Sequence, residues 1–113
     1  MVLADLRAIA DLLLKYDKRN AERFDSRLRI AYPSGSALVE AFDTNEFWGG
    51  AGSLADQGMC LDGPADAASF REARRAFWQH MARVGRSLLS NGAANPRVSM
   101  CVDVFEGWCK DGL

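Results

Sequence analysis

The chain's 113 residues are 49% apolar and 26% charged with a net charge of −1, enough for one folded domain and too few for two. That mixture excludes a collagen-like repeat, a disordered tail and a large multidomain enzyme. Lacking a basic excess, the chain is not expected to bind nucleic acid or an anionic membrane.

Leu3, Leu6, Ile9, Ala10, Leu13 and Tyr16 recur at three- and four-residue steps, which predicts a helix over 2–17 with one buried face. Asp5, Arg7 and Asp11 break up any apolar stretch that a signal peptide would need. The apolar runs in this region, Leu12 to Leu14 among them, fall far below the ~20 residues that cross a bilayer. Cys60, Cys101 and Cys109 form an odd set without a C-x-x-C pair. The expectation is therefore reduced thiols, two of them partly buried, in a cytoplasmic protein.

Asn20 is the expected N-cap of a second helix, with Ala21, Phe24 and Leu28 facing inward, and Tyr32-Pro33-Ser34-Gly35 ends it. Leu38, Val39, Ala41 and Phe42 fit a short helix over 36–42. Residues 43–66 read mainly as loop, with a brief extended piece at Met59, Cys60 and Leu61. Pro64 suits the first turn of a long helix running to Ser90, on which Phe70, Ala73, Phe77, Met81, Val84 and Leu88 make one apolar stripe. Asn91-Gly92 supplies its stop.

The last stretch fits two patterns. Val98, Met100, Val102 and Val104 alternate as a strand does, while Val98, Cys101, Val102, Phe105, Trp108 and Cys109 share a helical face. Asn95-Pro96, a cap followed by a first-turn proline, favours helix. The expected fold is all-α or nearly so: a single domain, 1–113, of four to five helices with a glycine-rich loop in the middle. Its expected core is Leu6, Ile9, Leu13, Phe24, Leu28, Phe77, Met81 and Val84.

The near-neutral total conceals a segregated charge. Residues 1–29 carry +2 and residues 71–113 carry +3, but between Ile30 and Phe70 there is no Lys or Arg at all. Glu40, Asp43, Glu46, Asp56, Asp62 and Asp66 give that segment −6. Either the acids neutralise the flanking helices within the monomer, or they offer a surface to a cationic protein partner.

The glycine-rich loop holds Trp48, Gly49, Gly50, Gly52, Ser53 and Asp56. Its glycines permit a tight turn, Trp48 and Leu54 can pin that turn to the core, and Ser53 with Asp56 makes a partial capping box. Catalytic readings are weaker. Gly50-Ala51-Gly52-Ser53-Leu54-Ala55 matches G-x-G-x-x-A in letters, but helix rather than strand is expected before it. Ser53, Asp56 and His80 lack the G-x-S-x-G elbow of a hydrolase triad. His80, the single histidine, borders the long helix's stripe, where a hydrogen-bonded rim position is the ordinary outcome. One His and three widely spaced Cys match no zinc pattern, and the acids have no EF-hand register. No catalytic residue, metal or cofactor is assigned.

The run Phe47-Trp48-Gly49-Gly50-Ala51-Gly52-Ser53-Leu54-Ala55-Asp56 resembles the F-x-G-G-M-G-S-L-N-D signature of a family of small bacterial domains of unknown function. The likeness rests on Gly49, Gly50, Gly52, Ser53, Leu54 and Asp56 and extends along nearly the whole chain as an order of helices. Ala51 and Ala55 depart from the family's Met and Asn, so no role of those side chains carries over. Size and setting are similar to those of immunity proteins, an association rather than a mechanism. The resemblance and the acidic segment together imply an interaction protein, most specifically an immunity-type inhibitor that binds and occludes a cationic toxin or effector. The alternative is a small enzyme or anion-binding domain built on the Gly49–Asp56 loop. A third class is a subunit that buries the Phe70–Leu88 stripe against a copy of itself.

Overall fold

The structure, a computed structural model, describes residues 2–31, 42, 48–49, 67–93 and 95–111. They are all-α, and no strand occurs among them. The expected helix at 36–42, apart from Phe42, and the cap ahead of Pro64 lie outside the described residues.

Helix α1, Val2–Tyr16, turns Leu6, Ile9 and Leu13 fully inward, as the spacing requires. Helix α2, Lys18–Ala31, begins earlier than expected, and Asn20 is not its cap. Asp17 takes that position. Its carboxylate accepts from the Asn20 backbone N–H at 3.3 Å and from the Asn20 side-chain amide at 2.8 Å, while its carbonyl accepts from the Ala21 N–H at 3.0 Å. Its own N–H donates to the Leu13 carbonyl at 2.7 Å, so one buried residue closes α1 and opens α2.

Helix α3, Ala67–Ser90, packs against both α1 and the C-terminal helix α4, Pro96–Lys110, and is the centre of the described fold. Ala73, Phe77, Met81, Val84 and Leu88 are all buried within the chain. These described members of the stripe are therefore not available to a second copy. The helix ends on a Schellman motif. Ala93 N–H donates to the Leu88 carbonyl, Gly92 N–H donates to the Leu89 carbonyl, and Gly92 has φ +89°.

The C-terminal stretch is helix α4, Pro96–Lys110. Asn95 accepts from the Arg97 N–H at 3.0 Å, and Pro96 occupies the first turn, where its missing N–H costs nothing. Val98, Val102 and Phe105 complete the core with α3. Of the eight expected core residues, seven are buried; Leu28 is only partly buried but packs against the others.

Candidate functional site

Of the glycine-rich loop, Trp48 and Gly49 are described; Gly50, Gly52, Ser53 and Asp56 lie outside the described residues. Trp48 is wholly buried. Its indole Nε1 donates to the Phe42 carbonyl at 2.8 Å, and its own carbonyl accepts from the Cys101 thiol at 3.5 Å. Phe42 in turn stacks obliquely on Phe24 of α2, with ring centroids 5.5 Å apart. The residue that leads into the glycines is thus seated against α4, and Phe42 links it to α2.

Gly85 makes that seat possible, and its role is not visible in the sequence pattern. A Cβ at this position would stand 2.3 Å from Val102 Cγ2 and 3.3 Å from Trp48 Cη2. The helix α3 backbone must therefore remain bare where α4 and the indole cross it. A glycine inside an otherwise strong helical pattern signals that packing needs it there, but not which residues it meets.

A polar cluster joins α1 to α3. Buried Asp5 accepts from His80 Nδ1 at 2.8 Å and from Arg83 Nη1 at 3.3 Å. His80 is the hydrogen-bonded rim histidine that its place beside the stripe implies. Among the described residues no three His, Cys, Asp or Glu side chains converge as metal ligands do.

Other flanking cations are occupied locally. Arg86 makes a bidentate pair with Glu106 across α3 and α4, Arg29 pairs with Asp25, and Arg75 donates to the Cys109 carbonyl near the end of α4. Arg74 lies over the Trp78 ring at 5.0 Å. Arg74 and Arg75 are thus half-buried, Arg74 against Trp78 of its own helix and Arg75 across to α4. The hydrogen bond from Arg86 holds the Glu106 carboxyl below its ordinary range, and burial pushes the Cys109 thiol up. Cys101 and Cys109 are partly buried thiols; Cys60 lies outside the described residues.

Two open surfaces stand out among the described residues. Between α1 and α2 a groove of about 430 Å³ is lined by Ala10, Leu14 and Ala21 together with Asp11, Glu22, Asp25 and Lys18. On α4, Met100, Val104 and Trp108 face solvent. The acids Glu40, Asp43, Glu46, Asp62 and Asp66 lie outside the described residues. No described helix is long and apolar enough to cross a membrane. No protein family, curated protein or solved structure matches the chain in comparisons with known proteins.

Proposed function

We propose that the protein is a small interaction domain of the immunity type, which binds a cationic toxin or effector and blocks it by occlusion. One observation carries the reading. Arg29, Arg75, Arg83 and Arg86 are satisfied by Asp25, the Cys109 carbonyl, Asp5 and Glu106, all within the flanking segments that contain those arginines. These four arginines are engaged by partners other than the six acids between Ile30 and Phe70. The proposed counterpart of those acids is a basic surface on another protein, and the resemblance of the Phe47–Asp56 run to small bacterial domains of immunity-like size agrees with that role.

The mechanism is electrostatic steering followed by steric blockage. Complementary charge raises the encounter rate and fixes orientation, while the helical frame serves as a rigid obstacle. The groove between α1 and α2, lined by apolar residues and three acids, suits the apolar stem and charged head of a basic side chain. The test is charge reversal. E40K, D43K and E46K combined should slow association with the co-purified partner by roughly tenfold while leaving the melting temperature nearly unchanged. Reversal of exposed Arg71 should have little effect on that rate. An unchanged rate in the triple variant would refute the acidic-contact mechanism.

A further inference from the structure

Helix α4 carries two apolar faces. Val98, Val102 and Phe105 enter the core, whereas Met100, Val104 and Trp108 are 52%, 40% and 36% exposed. At about 100° per residue, the exposed three fall within roughly 40° of the direction set by Val104. Arg97 and Asp111, both exposed, lie on the same line, seven residues before and seven after Val104. The stripe from 97 to 111 is about 21 Å long at the helical rise of ~1.5 Å per residue.

Its order matches itself in reverse. A second helix laid antiparallel about a two-fold axis at Val104 sets each residue against the one equally far beyond Val104. Arg97 then meets Asp111, Met100 meets Trp108, and Val104 meets its own counterpart. A parallel copy would set Arg97 against Arg97 and Asp111 against Asp111. Charge therefore selects the antiparallel arrangement, the isologous contact of a two-fold dimer.

The apolar centre is already held in place. The Trp108 ring lies 4.7 Å from Trp78 and 5.7 Å from Phe105, so little side-chain freedom is lost when a partner covers it. Gly107 borders the stripe, and nothing lies within 4 Å of where its Cβ would be, so a second backbone can approach closely there.

We propose that this face of α4 is a homodimer surface, with a second copy packed antiparallel across Met100, Val104 and Trp108. Arg97 of each chain pairs with Asp111 of the other. One helix face is small for a protein interface, so the dimer is reversible and concentration-dependent rather than obligate. None of the residues named at this surface belongs to the acidic segment, and the proposal does not depend on the inhibitor reading.

Sedimentation of the full chain over a range of concentrations tests it. The native protein should pass from monomer to dimer with a dissociation constant in the micromolar range, roughly 1–100 μM. R97D and D111R each place like charges opposite one another at both ends of the contact, and each should weaken the dimer by about tenfold. An equimolar mixture of R97D with D111R should recover dimer, because one chain then has two acids at the stripe's ends and the other two bases. The double variant R97D/D111R should recover it as well. V104E should abolish association, and matching circular dichroism melts show that each variant is folded. A native chain still monomeric at about 500 μM would overturn the proposal. So would a dimer indifferent to all these variants, or a mixture no more dimeric than its components.

Discussion

A methyl group added at Gly85 would meet Val102 Cγ2 at 2.3 Å, too close for either helix to ignore. Gly85→Ala should therefore destabilise the protein by about 1–3 kcal/mol, even though alanine is the better helix former. Adding Val102→Ala should recover part of the loss, which chemical denaturation of the two variants would show. If Gly85→Ala stabilised the chain, the close crossing of α3 and α4 would be wrong. Phe77 presents the opposite case. It is fully buried at the middle of α3, so Phe77→Ala should cost about 3–5 kcal/mol, and an unchanged melting temperature would contradict its place in the core. Phe77 was legible from spacing alone, because an amphipathic stripe names its own members. Gly85 was not, since its neighbours Val102 and Trp48 come from other parts of the chain.

At the scale of the helices, the turn between α1 and α2 depends on Asp17. Asp17→Ala removes the acceptor for the Asn20 N–H and should cost about 0.5–2 kcal/mol, read from the shift in denaturation midpoint. Asn20→Ala changes no N-cap, and its effect arises instead from the lost side-chain bond to Asp17. Asn20 was the cap expected from the sequence; Asp17 holds that position instead because Lys18 and Arg19 continue the helix backwards to it. Helix α4 was ambiguous for a different reason. Val98 and Val102 are core residues while Met100 and Val104 are exposed, so apolar residues on two sides of one helix imitate strand alternation. The pairing of Arg86 with Glu106 links α4 to α3 and has a predictable pH dependence. Because the folded Glu106 carboxyl lies below its ordinary range, its contribution is present above that range and is lost as pH falls through the folded value. The melting-temperature difference between the native chain and Glu106→Gln should accordingly shrink on acidification. A difference that grew in acid would contradict the pairing. Both side chains are well exposed, so the effect is modest and weakens with added salt.

For the molecule as a whole, charge segregation was readable before any fold was known, because it is a property of residue order. The cluster of Asp5, His80 and Arg83 was not, since its members are 75 and 78 residues apart and meet only when α1 packs on α3. Both facts bear on the acidic segment between Ile30 and Phe70. Helix packing matches flanking acids such as Asp5 and Glu106 with flanking arginines, and an external cationic surface is the proposed counterpart of the middle acids. The dependence of the association rate on ionic strength, measured with the partner co-purified from the native host, tests this most directly. At physiological salt the reach of charge is cut to about 8 Å, so the rate should fall steeply as salt rises from well below that point. A rate insensitive to salt, or a partner that is itself strongly acidic, would contradict it.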